Sequence, residues 1–162
     1  MRRRIPRWAS VVLGVAVVAG VPVAWYLGSP LFITRTVDEP SPGGVATGAV
    51  LARGAFAGAD DFHKGSGMAT VYRVGEGLVL RLEPFQVTNG PDLHVILTAH
   101  PTPRTRADVM AAYVELGRLK GNVGGQNYAL PRGVALADVK AVVIYCKPFH
   151  VVFAVAPLAP AN

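Results

Sequence analysis

Apolar positions along the chain fall into two regimes. From Trp8 to Thr34 no charged residue interrupts the sequence. From Val50 onward apolar residues come in short bursts, separated by Gly, Pro and polar turns. The first regime has the roughly 20-residue length that a helix needs to cross a bilayer, and it predicts a transmembrane helix over 8–33. Gly14, Gly20 and Pro22 lie inside it, as membrane helices allow, and Ser29-Pro30 marks its end. Trp8 at one end and Trp25-Tyr26 at the other have the placement of interfacial aromatic anchors.

The second regime reads as strands. Val142 to Val155 is the most apolar run outside the N-terminus and is rich in β-branched and aromatic residues, the composition of a buried strand. Pro148 cannot donate to a sheet ladder, so it splits the run in two. Upstream, Val50–Phe56 is a weak first strand. Met68–Val74 and Leu78–Leu82 flank Gly75-Glu76-Gly77, a hairpin signal. Leu78, Leu80 and Leu82 share one face, the alternation of a half-buried antiparallel strand. Phe85 and Val87 lead into the tight turn Asn89-Gly90-Pro91-Asp92, after which Leu93, Val95 and Leu97 alternate with His94 and Ile96. Ala107–Leu116 fits either a short helix or the approach to a strand. Tyr128–Pro131 is a short strand, Gly133–Asp138 a loop, and two strands close the domain near Leu158. No helix of ordinary length with a 3.6-residue period follows the first segment. The expected fold is therefore all-β, an antiparallel sandwich or barrel-like domain behind one N-terminal helix.

Charge sets the topology. Of the formal net charge of +6, Arg2, Arg3, Arg4 and Arg7 supply +4 ahead of the apolar run. The positive-inside rule then places the N-terminus in the cytoplasm and the rest outside, a single-pass protein of the cell membrane. The rival reading is a cleaved signal peptide, with Val21-Pro22-Val23-Ala24 as a small-residue cleavage pattern; the apolar run exceeds the roughly 7–15 residues such a core needs, which favours the uncleaved anchor. The expected organisation is a basic cap over 1–7, the span over 8–33, a Pro/Gly linker over 34–47 and a β domain over 48–160. From Ser41 on, 11 Lys/Arg stand against 8 Asp/Glu, too mild and scattered a balance for a nucleic-acid footprint.

Candidate chemistry centres on Cys146, the only cysteine. A lone cysteine in an exported protein is buried, reactive or paired with another chain. In a period-two strand it shares a face with Val142 and Ile144, apolar neighbours that raise a thiol's pKa, and Lys147 points to the other face. Cys146, His94 and His150 together suggest a blue-copper set. In a regular strand Cys146 and His150 would stand about 13 Å apart at roughly 3.3 Å per residue, whereas two ligands of one metal lie within about 4 Å. Only a sharp bend at Pro148 would join them, so no metal is favoured. Asp92 and His94, two apart, form either a carboxylate–imidazole pair lining a pocket or a turn in which Asp92 caps backbone amides. His63 with Gly65-Ser66-Gly67 lacks the Lys-Ser/Thr ending and following helix of a phosphate loop and reads as a turn. Asn122, Gly124, Gly125, Gln126 and Asn127 form a loop with large hydrogen-bonding capacity, fit for ligand binding or present for backbone geometry alone. No Ser-His-Asp order, paired catalytic carboxylates, HExxH or CxxC appears, which makes a hydrolase a poor fit and leaves a non-enzymatic role the favoured expectation.

Four blocks of the sequence resemble the DM13 domain. They are Phe62–Ala69, Phe85–Leu97, Leu119–Pro131 and the closing segment Val142–Phe149 through Ala156-Pro157-Leu158. The resemblance covers Val50–Leu158. It implies an extracellular all-β domain whose characteristic cysteine, here Cys146, serves electron transfer or holds a cofactor of unknown identity; His150 is not part of the family pattern. Two functions follow as expectations. One is a redox or electron-transfer module working through Cys146, with a redox or envelope protein as partner. The other is a non-enzymatic ligand- or protein-binding scaffold in which Cys146 is packing and the loops at Asn89–Asp92 and Asn122–Tyr128 make the contacts.

Overall fold

The computed structural model describes residues 6–29, 33–42 and 49–161. An apolar helix, α1 (Arg7–Gly28), precedes the β domain. It ends five residues short of the expected boundary, and Pro22 is accommodated inside it. Its window Trp8–Tyr26 is long and apolar enough to cross a membrane.

Among the described residues ten strands follow: β1 (Val50–Ala55), β2 (Ala57–Gly58), β3 (Gly65–Val74), β4 (Gly77–Val87), β5 (Leu93–Thr98), β6 (Tyr113–Arg118), β7 (Gln126–Ala129), β8 (Ala141–Cys146), β9 (Val151–Pro157) and β10 (Ala159–Pro160). They form two five-stranded sheets, ordered β10-β1-β3-β4-β7 and β2-β9-β8-β5-β6, with antiparallel pairing throughout. Val71, Leu80 and Leu82 of the first sheet meet Val95, Leu97, Val142 and Ile144 of the second in the main core. The expected all-β sandwich behind one helix is the fold observed.

The second sheet is covered on its outer face as well. Ile96, Val143, Tyr145 and Val152 pack there against Val109. That residue comes from α2 (Arg106–Met110), a short helix started by a capping box between Thr105 and Asp108. The segment Ala107–Leu116 thus holds both expected structures in turn, the end of α2 and then β6. Because both faces are covered, every residue of β5 and of β8 is buried. Polar His94 and Thr98 share this burial, which a simple inside–outside alternation does not predict for β5.

Part of the expected linker is docked on the domain. Val37 N–H donates to the Val123 carbonyl and Glu39 N–H to Gly125, both at 2.9 Å. The Glu39 carboxylate takes Lys120 Nζ at 2.7 Å and Asn127 N–H at 2.7 Å. Residues 43–47 of that linker lie outside the described residues. Glycine makes the docking possible: Gly124 has φ +105°, and a Cβ there would stand 1.9 Å from the Val37 carbonyl oxygen. Gly124→Ala is expected to cost about 1–3 kcal/mol and to speed amide exchange at Val37 and Glu39. Urea denaturation with hydrogen exchange checks this; unchanged stability and protection would show that the strap is not held this way.

Candidate functional site: the turns around Cys146

One end of the sandwich gathers most of the candidate residues. Cys146 closes β8 opposite Leu93, and the turn Asn89–Asp92 delivers the chain into β5 beside it. The cysteine is 1 % exposed and belongs to the main core. Its Sγ donates to the Pro91 carbonyl at 3.0 Å. Burial pushes the thiol's pKa up, a hydrogen bond from the Phe149 backbone opposes this, and the Asp92 charge adds to the rise. The thiol is therefore held neutral, whereas a nucleophile or metal ligand is a thiolate.

The turns on either side are conformationally special. Asp92 (φ 51°) and His150 (φ 56°) are the non-glycine residues with positive φ among those described, a region that costs energy for any residue with a Cβ. Lys147 N–H donates to the Asp92 carbonyl at 3.3 Å and His150 N–H to Lys147 at 3.4 Å, which fastens the β8–β9 turn to the Asn89–Asp92 turn. Gly90 lies against Phe153: a Cβ there would meet the ring at 2.6 Å.

On the outer face of the second sheet, Asp92 and His94 form the carboxylate–imidazole pair, 3.1 Å apart. His94 is sandwiched. Its Nε2 faces Asp92 and its Nδ1 faces Glu115 at 2.6 Å, while its side chain is almost wholly buried. Only an imidazolium, with two N–H donors, satisfies both ionised carboxylates at once. Arg118 Nε closes on Asp92 at 2.7 Å, and Lys147 Nζ on Glu115 at 3.0 Å. The result is an alternating row, Arg118–Asp92–His94–Glu115–Lys147. Burial pushes the Asp92 carboxyl upward, but hydrogen bonds from His94 and Arg118 outweigh it and leave the pKa lowered. At Glu115 burial is likewise outweighed, by Lys147 and His94.

The remaining candidates are arranged differently. His150 Nδ1 faces the Tyr145 hydroxyl at 3.4 Å on the outer face, while Cys146 points into the core and both nitrogens of His94 are committed. The suggested copper set of Cys146, His94 and His150 is not brought together, and among the described residues no three His, Cys, Asp or Glu side chains form a metal-binding group. Gln126 is fully buried, and it fastens its own loop: its Oε1 accepts from Lys120 N–H, Gly121 N–H and the Tyr128 hydroxyl, and its Nε2 donates to Gly121. Burial drives the Tyr128 phenol up to about 12. Asn122 Oδ1 accepts from Arg35 N–H at 2.6 Å. Asn122 and Asp92 both line an open cleft of about 540 Å³, with Asn89, Arg35, Arg118 and Ser29. His63 is held in a turn by Asp60.

The family described as Electron transfer DM13 matches residues 56–158, nearly the whole β domain. The chain belongs to the DM13 family. No curated protein and no solved structure matches it. Within the DM13 domain, Glu115 and Arg118 escaped the sequence reading, and Lys147 is placed by it on the face opposite Cys146 without its partner. Their signal is weak, because charges on β6 and just past β8 look like ordinary solvated positions until strand pairing sets them beside His94.

The charged row makes stability pH-dependent with a definite sign. Unfolded carboxyl groups titrate near pH 4, and those of Asp92 and Glu115 titrate lower in the fold. Their contribution is present above the unfolded value and is lost as pH falls through the folded values. His94→Asn is expected to flatten this acid limb of the DM13 domain's stability. Denaturation curves at a series of pH values check it; an acid limb identical to the parent's would show that the row contributes nothing.

Proposed function

We propose that the chain is an electron-transfer module anchored by α1, with its DM13 domain on the extracytoplasmic side and Cys146 as its redox-relevant group. Family membership supports electron transfer. The span at Trp8–Tyr26, preceded by Arg2, Arg3, Arg4 and Arg7, supports the anchor and its orientation. The observation that carries the role of Cys146 is its position. The sulfur lies inside the core, yet the exposed turn Lys147–His150 follows it directly, and the Asn89–Asp92 turn is hydrogen-bonded both to the thiol and to that turn. In this reading the neutral thiol is the resting form, and opening of those turns admits an oxidant, a cofactor or a partner protein.

The burial of Cys146 favours a second reading, a binding or envelope-scaffold domain in which the sulfur only packs. There the Asn89–Asp92 turn and Asn122, which border the open cleft, make the contacts.

Thiol chemistry on the purified full-length protein separates the two. Cys146 is expected to react slowly with a disulfide reagent in native buffer and rapidly in denaturant. The redox reading further expects reversible loss of the titratable thiol under a mild oxidant, or a visible absorption band in the protein as isolated. A colourless, metal-free protein whose thiol is silent to oxidant until unfolded overturns it. Cys146→Ala would then lower stability and leave cellular function intact.

A further inference from the structure

Outside α1, the large apolar side chains that stand exposed among the described residues are Ile33, Phe62, Tyr113 and Phe149. Three of the four lie at one end of the sandwich. Phe62 is 86 % exposed and Phe149 is 61 % exposed. Phe149 sits in the turn after Cys146. Phe62 sits in the loop from β2 to β3, whose Lys64 carbonyl accepts from Thr88 N–H, just before the Asn89–Asp92 turn. Tyr113 is at the opposite end, paired with Thr98 at the far end of β5.

Neither phenylalanine is on a slack loop. Asp60 accepts from the N–H groups of Phe62 and His63, both at 2.8 Å, and from the His63 ring at 2.7 Å. The His63 ring in turn packs on Phe153, with centroids 4.3 Å apart. The turn bearing Phe149 is fastened to Asp92 and, through the Lys147 side chain, to Glu115. Two ordered turns therefore hold aromatic rings out from the protein at the same end.

That end is also where α1 arrives. Ser29, just past the end of α1, and Ile33 line the cleft with Asn89, Asp92 and Arg118. We infer that this end of the DM13 domain rests in the interfacial layer of the bilayer that holds α1, with Phe62 and Phe149 inserted among the lipid headgroups. The inference rests on the reading of α1 as an uncleaved anchor. Phe is among the side chains that surface-bound elements bury at the headgroup–acyl boundary, and exposed large apolar side chains beside a membrane span mark a contact surface. Four cations near this end, Lys64, Arg118, Lys120 and Lys147, are each paired with a carboxylate. The contact is apolar and tolerant of the headgroup charge.

The test uses full-length protein in vesicles of phosphatidylcholine with brominated acyl chains. A bimane fluorophore is placed by Phe62→Cys, Phe149→Cys or Tyr113→Cys, with Cys146 protected by its burial and the labelled parent as background. Trp8 and Trp25, the chain's two tryptophans, both lie in α1, so intrinsic fluorescence reports the anchor separately. The expected result is quenched tryptophan, bimane quenched several-fold more at positions 62 and 149 than at 113, and no change when anionic lipid is added. Quenched tryptophan with labels at 62 and 149 no more quenched than at 113 overturns the inference and leaves the anchor standing. Unquenched tryptophan removes the anchor and this inference with it.

Discussion

Backbone pairing between β5 and β8 is the constraint from which the candidate site follows. Six consecutive registers, from Leu93 opposite Cys146 to Thr98 opposite Ala141, lock these strands together at the centre of the second sheet. Both are buried along their whole length, so a slip by one residue would exchange the two faces of a fully packed layer. This register seats the Cys146 thiol under the Pro91 carbonyl. It also sends His94 to the opposite face from Cys146, so sulfur and imidazole, only one pairing step apart, cannot act on the same atom.

The buried imidazole is a cost that its neighbours offset. A polar group out of water is tolerated when its hydrogen bonds are made, and His94 makes two, both to carboxylates. Arg118 and Lys147 close the row, so that alternating charges compensate each other locally. Because Lys147 directly follows Cys146 and Asp92 directly follows Pro91, the row also braces the two turns that cover the sulfur. Charge pairing on one face and thiol burial on the other are thus parts of one local arrangement.

Much of this was legible from the sequence. The β-branched run at 142–155, its break at Pro148 and the hairpin at Gly75-Glu76-Gly77 report backbone preferences that tertiary contacts did not override. The apolar neighbours of Cys146 correctly implied a raised thiol pKa. The pairing of Asp92 with His94 was readable as one of two options from a spacing of two. What could not be read was long-range. Glu115 reaches His94 only through the β5–β6 register and its bulge, and nothing local to either residue encodes that. The docking of Val37 and Glu39 depends on the loop at Val123 and Gly125, more than eighty positions away, so from the sequence the stretch reads only as a Pro/Gly linker.

That docked strap fixes a leash length. Only the six residues 29–34 separate the end of α1 from Arg35, and even fully stretched they span about 20 Å. If α1 is the membrane anchor proposed above, a domain tied so closely to its helix searches for partners by lateral diffusion in a plane, and its reach is no longer than that leash. On that proposal, whatever meets the Cys146 end is itself membrane-bound or comes down to the membrane surface, and collision frequency would depend on the density of both species within the sheet of lipid and little on bulk concentration.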